Sequence, residues 1–199
     1  MQHQFRFQVK PGVSEVRFGD PGWRLGYTRD AVNSYFVFRQ LKREGVIAAG
    51  VRFQVCMPLT FSAVTSFFPD PEDHARIVPG FTAALRAEVS KIAEMIPSDD
   101  LAIQWDLAVE NRYLEATLAR EGPTTAKRKA ERLMTPAQGI SPHIPEAVAL
   151  GYHSCFGTLN GWPSRQPTDL AGSVLLLNAA VTASRRRVDF VHMPTLGSA

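Results

Sequence analysis

Val148-Ala149-Leu150-Gly151-Tyr152-His153-Ser154-Cys155-Phe156-Gly157 reads as an apolar strand whose end carries an imidazole and a thiol two residues apart. Side chains of an extended strand alternate between its faces, so His153 and Cys155 are expected to point the same way and to be able to grip one ion. A second apolar run, Val188 to Met193, ends in another histidine, His192, and the helical stretch Thr168 to Ser184 separates the two runs. A cap at Thr168 or Asp169 is expected to open that helix. Strand, helix, strand is the order of a parallel βαβ unit, whose strands lie side by side with their C-terminal ends together. This reading brings His192 towards His153 and Cys155.

Working outward, the same punctuation divides the rest of the chain. Phe5 to Val9 alternates apolar and polar residues, Lys10-Pro11-Gly12 is turn chemistry, and Val13 to Phe18 resumes the alternation, which predicts a hairpin-like segment over residues 1–25. Ala31, Val32, Tyr35, Phe36, Phe38 and Leu41 predict a helix over Arg29 to Glu44, closed by Gly45, and Val51 to Met57 predicts a strand stopped by Pro58. Pro71 to Val78 reads as a short helix. Pro79 then suits the first position of a new one, along which Phe81, Leu85, Val89, Ile92 and Ile96 form an apolar stripe. Leu101 to Leu107 is a predicted strand and Thr124 to Met134 a polar helix.

Strands alternating with helices imply a parallel sheet covered on both faces, in a barrel or an open doubly wound form. No Gly-x-Gly-x-x-Gly follows any strand, which disfavours the dinucleotide-binding version. Polar residues gather instead where strands end: Cys56, Asp106 with Glu110, His153 with Cys155, and His192. Such a rim suits a (β/α)8 TIM-barrel type, whose active sites form at the C-terminal ends of the strands. Only four barrel-type strands are visible in 199 residues, and a whole barrel takes about 250. The expectation is one partial barrel domain over 1–199, incomplete in this chain, from a fragment of a longer protein and with self-association as a way to cover its open edges.

Composition narrows the partners. With 45% apolar residues and ordinary charge the chain reads as globular. No stretch approaches the roughly 20 apolar residues of a membrane span; Leu170 to Ala183 is broken by polar residues, so no membrane partner is expected. A net charge of +3 is too mild to imply nucleic acid. Lys127-Arg128-Lys129 and Arg185-Arg186-Arg187 read either as a solvated helix face and a helix end, or as phosphate binders. Two cysteines and no apolar leader at Met1-Gln2-His3-Gln4 predict a cytoplasmic, reducing location.

Ile103-Gln104-Trp105-Asp106-Leu107-Ala108-Val109-Glu110, Leu150-Gly151-Tyr152-His153-Ser154-Cys155-Phe156-Gly157 and Val188-Asp189-Phe190-Val191-His192-Met193-Pro194 together resemble the superfamily of cobalamin-independent methionine synthase and uroporphyrinogen decarboxylase. The branch they look most like is that of stand-alone proteins similar to the synthase's C-terminal barrel. Gly26-Tyr27, Asp30-Ala31, Ser34-Tyr35 and Val51 to Val55 extend the resemblance, which runs from about Gly26 to Pro194. It implies a (β/α)8 barrel and a methyltransferase of methionine biosynthesis, in which zinc binds the homocysteine thiolate for attack on the methyl group of a methylated folate. The family's His-x-Cys zinc ligands match His153 and Cys155. The carboxylate that follows them falls, by strand order, at His192, a departure that leaves a competent zinc ligand. The last cysteine ligand of the family lies beyond Ala199 in strand order. The family's Gln-x-Asp motif matches Gln104 and Asp106 and implies that Asp106 sits near an amino-acid substrate, although Leu107-Ala108-Val109 replaces the family's Glu-Pro-Ala.

Each of these residues also has a plainer reading. His153 and Cys155 either bind metal or form a buried pair that packs and hydrogen-bonds. His192 is a ligand or a strand-end histidine satisfied by backbone. Asp106 is costly to bury unpaired, so it faces an open site or a structural salt bridge. Glu110 is a further rim carboxylate, and Trp105 and Trp162 either line a pocket or pack. Cys56 reads as buried filler, and His3, His74 and His143 as surface residues. Three functions follow: a zinc-dependent methyltransferase acting on a small-molecule thiol, a metal-free lyase resembling uroporphyrinogen decarboxylase with Arg52 and Arg112 near its rim, and a non-catalytic partial barrel.

Overall fold

A computed structural model of the chain describes residues 5–18, 25–157, 167 and 169–193. Its elements run α1 (Tyr27–Arg43), β1 (Phe53–Pro58), α2 (Thr60–Phe67), α3 (Pro71–Met95), β2 (Leu101–Asp106), α4 (Ala108–Glu121), α5 (Pro123–Leu133), α6 (Thr135–Ile140), β3 (Ala149–His153), α7 (Ala171–Ser184) and β4 (Phe190–His192). The four strands are all parallel and hydrogen-bond in chain order, β1-β2-β3-β4. Among the described residues the sheet is open, with β1 and β4 as its edges, so a closed barrel is not seen and the fold is α/β with a parallel sheet.

Sequential order with crossovers of one hand places every connecting helix on the same side. Side-chain burial agrees. Val55, Met57, Ile103, Trp105, Leu150 and Tyr152 alternate onto one face and join a core with Leu85, Val89 and Ile92 of α3, Leu114 of α4 and Leu176 of α7. The opposite face carries Gln54, Cys56, Gln104, Asp106, His153 and His192. A sheet covered on both faces was the expectation; here the helices cover one, and the other is polar. No described helix is long and apolar enough to cross a membrane.

The hairpin expected near the N-terminus is absent from residues 5–18. The turn at Pro11-Gly12 forms, with Gly12 at φ +81°, yet its arms pair with helices rather than with each other. The Phe7 amide donates to the Phe67 carbonyl (2.8 Å), the Val9 amide to the Asp73 carboxylate (2.9 Å) and the Val16 amide to the Arg76 carbonyl (3.0 Å). Phe7 packs on Phe68 and Phe18 on Phe81, so the alternating apolar residues serve a strap laid over α2 and α3.

That strap also bears on the second difference, the union of two expected helices into the single α3 through Pro79. Proline lacks the amide that continues the helical ladder and crowds the preceding turn. The acceptor left without its helical donor is the Ala75 carbonyl, and the carbonyl of the next residue, Arg76, accepts from the Val16 amide of the strap. A Cβ on Gly80 would come within 2.1 Å of the Val16 carbonyl oxygen, so the close crossing requires glycine. α7 begins at Ala171, three residues later than expected, where the Asp169 carboxylate accepts from the Ala171 amide (2.8 Å); Thr168 lies outside the described residues.

Candidate functional site

The register of the sheet sets the site. Pro58, Asp106, His153 and His192 are aligned partners at the C-terminal ends of β1 to β4, and Cys56, Gln104, Gly151 and Phe190 form the row beneath them. Both rows lie on the polar face. Phe190 lies over Gly151, where an added Cβ would stand 2.2 Å from its ring, so the glycine admits the aromatic side chain beside the rim.

Asp106 accepts a hydrogen bond from the Gln104 amide at 2.9 Å, and the same amide lies 3.4 Å from the Cys56 sulfur, which also takes the Gln54 amide at 3.2 Å. Residues i and i+2 of a strand share a face, which is how Gln104 reaches both neighbours. Among the described residues Asp106 has no cationic partner, so the salt bridge of its plainer reading is not formed there. Its negative charge is felt by Cys56 and by Tyr27: burial raises the pKa of each first, and Asp106 adds to it. Cys56 is exposed on this face rather than buried filler.

His153 and His192 stand with ring centroids 4.8 Å apart and planes tilted by 41°. Among the described residues, His153 Nδ1 is buried without a hydrogen-bond partner. Burial lowers the His153 pKa below the usual imidazole range; Asp106 opposes this, the His192 charge adds to it, and the His192 backbone opposes it. The neutral imidazole therefore prevails at neutral pH, and that is the form with a lone pair for a metal or a proton. The imidazole pair fits a borderline cation such as zinc as two of its donors.

Three predicted site residues lie elsewhere. Cys155 falls two residues past the end of β3, so strand alternation no longer fixes its direction. Its carbonyl accepts from the Asn111 amide (3.0 Å), and the residue lines a cleft with α2 and α4. Trp105 is fully buried on the helix-covered face, opposite Asp106, because it is one residue out of phase with it. Glu110 is also fully buried: it accepts from the Ser62 amide at 2.9 Å and from the Ser62 hydroxyl, clamping α2 to α4. Burial pushes its pKa up to about 7 against the opposing hydrogen bonds, with Asp106 adding to the rise. Among the described residues, no three His, Cys, Asp or Glu side chains gather as a metal-holding group. The His-Cys-His claw is thus divided, with two imidazoles together and the thiol in the cleft.

Arg52, expected near the rim, sits at the other end of β1 and donates to the carbonyls of Ser98, Leu101 and Ala147. Arg186 donates to those of Ile144, Pro145 and Val148, and Lys129 pairs with Glu121, so these members of the basic clusters have structural partners. His74 bonds the Phe68 carbonyl (2.8 Å); His3 and Trp162 lie outside the described residues. Sequence reasoning missed Tyr27 as a neighbour of Asp106, since nothing in its spacing signals that the start of α1 reaches the rim.

No protein-family model, curated protein or solved structure matches the chain.

Proposed function

We propose that the chain is a zinc-dependent alkyltransferase acting on a small-molecule thiol, of the kind implied by its resemblance to the cobalamin-independent methionine synthase and uroporphyrinogen decarboxylase superfamily, and that its sheet is part of a (β/α)8 barrel. Parallel strands in chain order with helices on one side are the arrangement such a barrel uses. The polar face would then line the barrel's interior, with the rim at its mouth.

The observation that carries the reading is the pair His153 and His192, in register on adjacent strands with rings 4.8 Å apart and with Asp106 as the next partner in the row. His153 and His192 would hold the zinc. A thiol on zinc is deprotonated yet nucleophilic at neutral pH, which is what alkyl transfer to sulfur needs. Asp106, fixed by the Gln104 amide, keeps a carboxylate oxygen for a substrate ammonium group. Burial keeps His153 neutral and ready to donate its lone pair. The methyl donor, a methylated folate, follows from the resemblance alone. The metal-free lyase reading loses ground because Arg52, one of its two rim arginines, is committed to backbone carbonyls at the opposite end.

Metal analysis of the purified protein tests this reading. About one equivalent of zinc is expected in the parent chain, lost in His153→Ala and in His192→Ala. Less than roughly a tenth of an equivalent in the parent chain would remove the zinc reading. Retention in Cys155→Ala is expected from the divided donor set, whereas loss there would return the thiol to it.

A further inference from the structure

A cavity lies apart from the imidazole pair. It is a cleft of ≈ 720 Å³ between α2, α4, the loop after β3 and the N-terminal strap, a size suited to a small organic ligand. Neither Asp106, His153 nor His192 lines it.

Its charge is one-sided. Arg6 enters from the strap and Arg112 from α4, and no aspartate or glutamate is among the residues lining it. Neither guanidinium has a hydrogen-bond or ion-pair partner among the described residues, in contrast to Arg52, Arg76 and Arg186, which are bonded to carbonyls or a carboxylate. The walls are apolar and aromatic: Phe61 and Tyr113 stand with centroids 5.4 Å apart, and Phe156 faces the same space. A hydrated inorganic ion would use the cations and waste the walls, whereas a neutral apolar molecule would do the reverse. A planar guanidinium matches a planar carboxylate through paired hydrogen bonds, and of the two rings, tilted by 52°, one can meet the face of a flat apolar body while the other meets its edge.

We propose that this cleft binds a small organic carboxylate with a flat apolar body, its carboxylate held by Arg112 and Arg6 and its body against Phe61 and Tyr113. The inference stands independently of the zinc reading, because it uses none of the same side chains.

The two cysteines make the test site-specific. Cys155 lines the cleft and Cys56 lies on the open sheet face, so alkylation by iodoacetamide, followed at each thiol by mass spectrometry, reports on the two regions separately. 2-Naphthoate is expected to slow alkylation of Cys155 and to leave Cys56 unchanged, while 2-naphthylmethanol and inorganic phosphate protect far less. Calorimetry should show 2-naphthoate binding weakened about tenfold or more in Arg112→Gln, as befits the loss of a charge-assisted hydrogen bond. Arg6→Gln should show a reduction in the same direction. Both positions are exposed, so neither variant endangers folding. Equal protection by the alcohol or by phosphate, equal slowing at both cysteines, no binding of the acid, or unchanged affinity in both variants would overturn the proposal.

Discussion

The two ends of the sheet treat polar groups in opposite ways. At the N-terminal ends of the strands, charges are saturated: Arg186, with its side chain 2% exposed, donates to three carbonyls of the loop before β3 and to that of Arg187, and Arg52 donates to three more. Lys42 and the Tyr35 hydroxyl converge on Asp100. The Lys42 bond, followed by that from Tyr35, lowers the Asp100 pKa, and burial together with Asp100 pushes the Tyr35 phenol up to about 12. At the C-terminal ends, Asp106 has an amide for a partner, His153 Nδ1 has none among the described residues, and Cys56 and His192 are exposed. One end spends its polar groups on holding loops together, and the other keeps them available. A (β/α) scaffold divides stability and function in the same manner.

The comparison breaks first, if it is wrong, at Arg186. Replacing it with alanine removes one donor from each of the Ile144, Pro145 and Val148 carbonyls in the loop before β3, of which Pro145 keeps the Val148 amide, and each buried acceptor left unpaired costs about 1–3 kcal/mol. Partial solvent access reduces the sum, so Arg186→Ala is expected to lower unfolding stability by about 3 kcal/mol in urea titration. His192→Ala, at the far end of the strand that Arg186 precedes, should change it by about 0.5 kcal/mol or less. Equal costs would erase the distinction between the ends.

Glu110 sharpens the comparison, because it lies at the C-terminal end in sequence but behaves like a residue of the saturated end. Its folded pKa of about 7 lies above the ordinary value of 4.5, so between those limits the native chain holds the proton more tightly than the unfolded one. Stability is therefore highest below that window and falls as pH rises through it, by roughly 3 kcal/mol at about 1.4 kcal/mol per unit. In Glu110→Gln the amide oxygen can still accept from the Ser62 amide while its NH2 donates to the Ser62 hydroxyl. That variant should lose this part of the pH dependence and be more stable than the parent at pH above 7, as read by denaturation across pH. A parent slope that persists in the variant would assign it to another group.

What could be read from the sequence follows the strength of periodicity. The four strands and the stripe of α3 were readable because alternation or three-four spacing of apolar residues is what their burial requires. α4 was not, because its buried side includes Glu110 and Asn111, satisfied by tertiary partners that no local pattern announces, and Thr117, bonded to the Tyr113 carbonyl of its own helix. α2 mixes Phe61, Ala63, Val64 and Phe67 with Thr60, Ser62, Thr65 and Ser66 and shows no apolar period. The rim was found in part: register brought His153, His192 and Asp106 into one row. It failed at Trp105, where the alternation rule that placed Asp106 inside the site puts its neighbour outside, and at Cys155, where the strand had already ended. Gln104 was legible only as part of a motif, and its role emerged from its bonds to Asp106 and Cys56.

The smallest expected effect is also the most specific to the C-terminal end. His153 is depressed by burial and by the His192 charge and is lifted by Asp106, so substitutions at its two neighbours should move its titration in opposite directions. Asp106→Asn removes a lifting charge and should lower the His153 pKa further; His192→Ala removes a repelling one and should raise it. Because the folded pKa lies below the ordinary 6.5, stability is full above that value and falls as pH drops through it. Asp106→Asn should deepen that loss and His192→Ala should lessen it. Ring-proton NMR titration of His153 reads the shifts directly. No shift in either variant would mean that burial alone governs His153, and the row of Asp106, His153 and His192 would then share a rim without sharing a field.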